Sequence, residues 1–395
     1  MKTIISGFGC VCSVGDNVAE ISKKLFGEEI RASFIKDRFA SSFAYEYPVF
    51  QVSGEILRQK KPSESFSFLF FKKAVEESMK TAGLSGEELK NARVGVCAGT
   101  SVDASFNIFD FYKEWRSGSA GSMEPLNKYM GYSLSGEVLK MLGITGMSQT
   151  VVTACASGTD AIGIGAQWIE SGICDVVIAG GADELNLIPF TGFIKLMIAG
   201  KEPCRPFDKN RNGINLGEGA GVLILESQNF AEKRKAAAQG YVLGYGNACD
   251  GYHATAPEPD GRGLRKAVSF ALNQAGINKE RVAFINAHAT GTRDNDAAEA
   301  KVFNSLLKGI SVSATKSRTG HALGAAGAVE ACLTLICLNE NRIPKTINFS
   351  TPDETLDIVP VRENIGIEPK KAAVSTSLAF GGCNAALVLG GKEYE

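Results

Sequence analysis

The chain has 395 residues, with 42 Lys+Arg against 43 Asp+Glu and a formal net charge of −1. That balance excludes the basic excess of a nucleic-acid binder, and 44% hydrophobic residues suffice for a sizeable core. Ten Cys occur without any C-x-x-C pair, and three His can serve few metal sites, so zinc-ribbon and thioredoxin-type motifs are absent.

The opening MKTIISGFGCVCSVGDN has a Lys and then an apolar stretch. Gly7 and Gly9 interrupt it and no A-x-A-like cleavage site follows, so it reads as a first strand and tight turn rather than a signal peptide. Its GFG is not a dinucleotide fingerprint, because Cys12 stands where the third Gly of G-x-G-x-x-G belongs. Residues 66–82 read as a helix closed by Gly83, and Ser85 with Glu88 offers a capping box to the next. Runs at 94–98, 150–154, 175–180, 220–226, 282–287, 310–315 and 371–376 read as buried strands. Residues 261–275 place Leu264, Ala267, Val268, Ala271 and Leu272 on one helical face. The alternation predicts an α/β fold, and no apolar run of about 18 residues suggests a membrane span.

Segments 156–169 and 321–337 are Gly/Ala-rich and apolar almost all round, the pattern of helices buried on every side. Each follows a strand-like run. The repeated strand, turn and buried helix predicts an internal duplication, with halves at 1–240 and 241–395.

Cys155 lies where one such run opens its helix. Free N–H groups and the helix dipole there predict a thiolate-stabilising position, hence a nucleophile with a lowered pKa. His288 (NAHATGT) and His321 (TKSRTGHALG) sit at strand ends, where α/β sheets build sites. The other Cys read as reduced core thiols. A Cys with two neutral imidazoles suits thioester formation followed by stabilisation of an enolate, as in loss of CO2 from a malonyl thioester, with Lys316 adding charge nearby. A generic Cys–His hydrolase or transferase stays open on these residues alone.

The blocks TACASGTDAIG, RPFDKNRNGINLGEGAGVLILE, NAHATGT, TKSRTGHALGAAGAVE and LAFGGCNAAL resemble those of elongating β-ketoacyl-[acyl-carrier-protein] synthases. The resemblance implies the thiolase fold, two duplicated α/β halves in a five-layered αβαβα arrangement. It implies Cys155 as acyl acceptor, His288 and His321 as enolate stabilisers, Lys316 as their support and Glu330 as an organiser of the site. Phe380 matches a gating residue whose N–H joins that of Cys155 in an oxyanion hole. Thr290 and Thr292 match contacts to the phosphopantetheine arm, with Thr255 and Phe193 on the same substrate surface; His253 is read as structural or tunnel-lining rather than catalytic.

The implied activity is two-carbon elongation of an acyl chain by an acyltransferase that needs no cofactor or metal, its substrates carried on the phosphopantetheine of acyl-carrier protein. The implied setting is the cytoplasm, as a homodimer or as the catalytic half of a heterodimer with a chain-length-factor homologue. Lys60, Lys61, Lys72, Lys73, Lys201, Arg205, Lys209 and Arg211 are candidates for a basic rim facing the acidic carrier. Several positions depart from the family pattern. Ala379 replaces the first Gly of the gate, Ala289 the Gly of an HGT-type motif, and Cys383 a usual Thr, read as a packing substitution. Ala379 is expected to stiffen the gate if its position needs a Gly-only backbone.

Overall fold

The computed structural model describes residues 3–29, 32–35, 38–61, 64–103, 105–119 and 121–394. Ten strands carry the fold. The first five are β1 (Thr3–Cys12), β2 (Val94–Gly99), β3 (Met147–Val151), β4 (Val176–Asp183) and β5 (Gly219–Glu226). The second five are β6 (Gly240–Cys249), β7 (Val282–Asn286), β8 (Ser311–Ser313), β9 (Ala372–Leu378) and β10 (Cys383–Gly391). The helices that position the site are α1 (Phe66–Ala82), α2 (Ser157–Glu170), α3 (Leu187–Lys195), α4 (Arg262–Ala275), α5 (Arg293–Leu306) and α6 (Ala326–Asn339).

Read outward from the centre, one half of the sheet runs β1-β5-β4-β2-β3 and the other β6-β10-β9-β7-β8. The strand directions repeat as well. β5 is antiparallel to β1 and β4, while β2 is parallel to β4 and β3; the second half repeats this strand for strand. A short seam, Thr3–Ile5 of β1 against Gly240–Val242 of β6, joins the halves.

Helices α2 and α6 pack on each other and on strands of both halves, while α1 covers β1 and β5, and α4 covers β6 and β10. The result is the five-layered thiolase fold, helix–sheet–helix–sheet–helix. Composition explains which helices go to the middle. In α6 every residue from Ala326 to Leu338 is buried, and in α2 only Ile164, Gln167 and Glu170 are not. A helix apolar on all sides has no face to offer water. The outer α4 is amphipathic and buries the face bearing Leu264, Ala267, Val268 and Ala271. Both outer helices end on a left-handed Gly, Gly83 and Gly276, which closes the last turn. The capping box at Ser85 and Glu88 forms.

Two strands, β6 and β10, lie outside the runs expected from sequence; in β6 glycines break the apolar run, whereas β10 holds the uninterrupted run Ala385–Leu389 shortly after the Gly-rich segment 381–382. In β6 those glycines are what the packing needs: a Cβ at Gly244 or Gly246 would run into the carbonyl oxygens of Ala271 or Ala267 on α4. Two boundaries also move. The strand expected at 150–154 is Met147–Val151, and the helix expected from residue 321 starts at Ala326. In both places a left-handed residue intervenes, Ala154 (φ 50°) and Leu323 (φ 51°), each starting a single 3₁₀ turn ahead of the helix.

Candidate active site

Cys155 therefore sits in the 3₁₀ turn Ala154–Ala156 between β3 and α2, not at the end of a strand. A left-handed Ala costs about 1–2 kcal/mol, and the sharp turn it creates presents the next side chain at the helix entrance. The Ser157 hydroxyl locks the turn, donating to the Ala154 carbonyl (2.6 Å) and accepting from the Thr153 N–H (2.9 Å).

His288 follows β7. Its N–H donates to Glu299 (2.8 Å) on α5, and the next N–H, from left-handed Ala289 (φ 40°), donates to the same carboxylate (2.6 Å). Thr376 and Asn295 complete that buried carboxylate's partners. His321 lies on neither helix nor strand. Its backbone bridges to Leu216 in the first half, donating to the Asn215 carbonyl (2.8 Å) and accepting from the Gly217 N–H (2.9 Å).

These segments bring the Cys155 sulfur and a ring nitrogen of each histidine within 4.8 Å of one another. The imidazole planes stand at 89°, with centroids 5.1 Å apart. Lys316 (Nζ) contacts His288 Nδ1 at 3.0 Å and is paired with Glu330 on α6. His321 Nδ1 accepts the Leu323 N–H at 2.9 Å. In each ring, then, Nδ1 faces a donor and must accept, which leaves the proton on Nε2.

That tautomer decides what the cluster can do. Among the described residues this is the only trio of side chains placed to hold a metal. A metal would need the Nε2 lone pairs, but both Nε2 atoms carry hydrogen, so the rings are built to donate to an oxygen. Burial, reinforced by the Lys316 charge, pushes both histidines well below their ordinary range, so they are neutral at pH 7. Burial likewise raises Glu330 to about 7, against the pull of Lys316.

The expectation of a lowered Cys155 pKa is not met. Burial raises the thiol to about 12, and the opposing pulls of Lys316 and of the Phe380 and Cys155 N–H groups do not offset it. The closure of the pocket over the sulfur was not legible in the sequence.

A cavity of about 730 Å3 leads to the sulfur, and Cys155, His288, His321, Phe380, Phe193, Thr255, Thr290 and Thr292 all face it. Lys316 and Glu330 lie behind the histidines, each 1% exposed. Phe193, on α3, meets Phe380 edge-on, with centroids 5.5 Å apart. The Thr290 and Thr292 hydroxyls are 2.9 Å apart. His253 is exposed, its Nδ1 accepts the Thr255 and Ala256 N–H groups (both 3.1 Å), and it is not among the residues lining the cavity, so of the two roles expected for it the structural one fits.

Ala379 carries no backbone strain. Its backbone is extended (φ −133°), a conformation open to any residue, and the left-handed positions that follow are Gly381 and Gly382. The cost of replacing Gly falls on Ala289 instead. Of the rim candidates, Arg211 is buried and paired with Asp353, whereas Lys209 is exposed at the cavity mouth beside Arg293. Lys201 and Arg205 pair with Glu46 and Glu202.

Sequence reading missed two buried acids. Glu299 holds the His288 loop; burial raises it to about 7. Asp183, at the end of β4, gathers the N–H groups of Ser101, Val102, Asp103 and Gly324, tying the His321 turn to the first half. The available signal was a carboxylate in an otherwise apolar, Gly-rich strand end (AGGAD).

With this geometry in place, comparison with known proteins identifies the class. The family models for the beta-ketoacyl synthase N-terminal and C-terminal domains match residues 2–231 and 239–350, and the chain belongs to the beta-ketoacyl synthase family. It is 32% identical to 3-oxoacyl-[acyl-carrier-protein] synthase 2 of Synechocystis sp., with 100% of this chain and 98% of that protein covered. Among solved structures it resembles the ishigamide ketosynthase/chain length factor (TM-score 0.91, 31% identity, 99% of each chain). It also resembles a type II polyketide ketosynthase solved with its acyl-carrier protein (TM-score 0.89, 26% identity, 99% of each chain).

Proposed function

We propose that the chain catalyses decarboxylative Claisen condensation between an acyl group held on Cys155 and a malonyl unit on acyl-carrier protein, lengthening the acyl chain by two carbons. The observation that carries this reading is the pair of neutral, Nε2-protonated imidazoles converging beside one thiol. Cys155 attacks the carrier-bound acyl thioester. The carbonyl oxygen takes charge among the Cys155 and Phe380 N–H groups, and the thiol proton leaves with the carrier thiol.

The malonyl thioester then enters and places its carbonyl oxygen between His288 and His321. Loss of CO2 leaves an enolate held by their two N–H donors. The enolate carbon attacks the Cys155 thioester and expels the thiolate, which takes up a proton. Lys316, paired with Glu330, donates to His288 Nδ1 and so holds the tautomer the step requires.

No cofactor enters this scheme; the substrates travel on phosphopantetheine, for which Thr290, Thr292 and Thr255 line the approach and Phe193 with Phe380 forms the gate. We place the reaction in the cytoplasm. No helix among the described residues is long and apolar enough to cross a membrane, and the ten cysteines are free.

We divide the chain at 1–240 and 241–395, which the repeated strand order supports. A partner subunit is supported by the open edge of β3, where Met147 is exposed, and by exposed Tyr112, Trp115 and Met130. That partner is a second copy or, on the alternative favoured by likeness to a ketosynthase/chain length factor pair, a chain-length-factor homologue.

The test is mass spectrometry after incubation with an acyl-carrier protein thioester. An acyl adduct on Cys155, lost in Cys155→Ala together with condensation, is the expected result. An adduct that survives the substitution overturns the assignment.

A further inference from the structure

Eight of the ten cysteines are buried; Cys249 is exposed and Cys383 half-buried, so the expectation that nine are core thiols fails for these two. They belong together. Cys249 ends β6, Cys383 begins β10, and the register pairs them directly. Their neighbours Asp250 and Gly382 are joined by a backbone hydrogen bond (Asp250 N–H to Gly382 O, 2.8 Å), while the Cys383 carbonyl turns the other way to accept from Ala379 (2.8 Å). Cys249 and Cys383 therefore form a non-hydrogen-bonded antiparallel pair, whose Cα atoms stand about 4.5 Å apart with side chains on one face. That spacing lies inside the range a disulfide accepts.

The location gives the pair a consequence. Cys383 directly follows the gate segment Phe380–Gly382, and the Cys249 sulfur points at the Gly381 carbonyl (3.6 Å). The loop leaving Cys249 carries Thr255 and Pro257 to the cavity mouth, and its Ala254 carbonyl accepts the Gly381 N–H (2.8 Å).

We propose that Cys249 and Cys383 form a reversible cross-strand disulfide that pins the gate segment to the mouth loop and slows acylation of Cys155. The effect on acylation rests on the gating reading of Phe380; formation of the bond does not. The oxidant is a low-molecular-weight disulfide such as oxidised glutathione. Exposed Cys249 attacks one sulfur of that disulfide as thiolate and expels a thiol. Cys383, whose own thiol is held up by burial and by its neighbour, then attacks the mixed disulfide at Cys249 and expels the second thiol. Two protein thiols are oxidised, one small disulfide is reduced to two thiols, and the protons leave with them. An exposed bond of this kind belongs to the labile, reducible class.

The test treats the full-length protein with oxidised glutathione, then maps peptides without reduction and measures acylation of Cys155. Expected are a peptide linking residues 249 and 383, acylation slowed at least fivefold, and recovery with dithiothreitol. Cys249→Ser and Cys383→Thr should keep the reduced rate and lose the sensitivity. Performing the mapping in Cys155→Ala keeps the nucleophile out of the exchange. Glutathione left on Cys249 with no linked peptide overturns the proposal. A linked peptide with undiminished acylation overturns its regulatory part. Failure of the reduced wild-type protein to acylate Cys155 would instead count against the proposed function.

Discussion

The turn that carries Cys155 and the turn after His321 are two copies of one device. Each has a left-handed residue, a single 3₁₀ turn and then a buried helix: Ala154–Ala156 into α2, and Leu323–Ala325 into α6. In register, Gly324 occupies the place of Cys155. A Cβ there would run into the main chain at Thr100 and Ser101 and into the Asp183 carboxylate. The second copy thus has no room for a side chain at the position of Cys155. It spends its strained turn on a different task, aiming the Leu323 N–H at His321 Nδ1. Duplication supplied one backbone shape, and the two halves diverged into the thiol and the donor.

If the copies divide the work this way, His321→Ala should leave acyl transfer to Cys155 nearly intact. Malonyl decarboxylation should fall by roughly 10²–10³-fold, the usual loss for one oxyanion donor. Stopped-flow acylation and CO2 release measured on the same protein separate the two, and parallel loss would end the comparison.

The thiol side is read by pH. With the thiol raised to about 12, the thiolate fraction at pH 7 is small and grows about tenfold per unit. Iodoacetamide labelling of Cys155 should keep accelerating beyond pH 9; a plateau below pH 8 would restore the low-pKa reading. The two imidazoles shift the other way and remain neutral throughout this window.

The contact between the copies is next in size. A Cβ at Gly327 on α6 would strike the Thr159 hydroxyl on α2, and one at Gly158 would press on Ala328. Gly327→Val should cost about 1–3 kcal/mol by overpacking, seen as a lower urea midpoint. The smallest effect concerns the two alanines that stand where the family pattern has Gly. Ala289→Gly relieves a left-handed Cβ and should stabilise by up to about 1 kcal/mol, whereas Ala379→Gly in extended backbone should destabilise by about 0.5–1 kcal/mol. Equal shifts in melting temperature would contradict the backbone assignment.

Much of this was legible beforehand because it is local. Periodicity marked α1 and α4, uniform apolarity marked α2 and α6 as central, and the motif blocks marked Cys155, His288, His321, Lys316 and Glu330. What escaped depends on contacts across the chain. β6 looked broken because its glycines answer to α4, which follows it in sequence. The thiol was expected to ionise because its helix end is visible in sequence, whereas the walls that bury it come from both halves. Glu299 and Asp183 take their meaning from the loops they gather, which the sequence alone does not bring together.

The division of the site between the halves has a bearing on synthesis. The ribosome finishes Cys155 166 residues before His321 (321 − 155), a lag on the order of ten seconds at translation speed. Throughout that interval a nascent first half holds the Cys155 thiol without the complete imidazole pair that the proposed reaction needs. On the proposed mechanism the chemistry waits until the second half has docked, so activity also reports that both halves have folded.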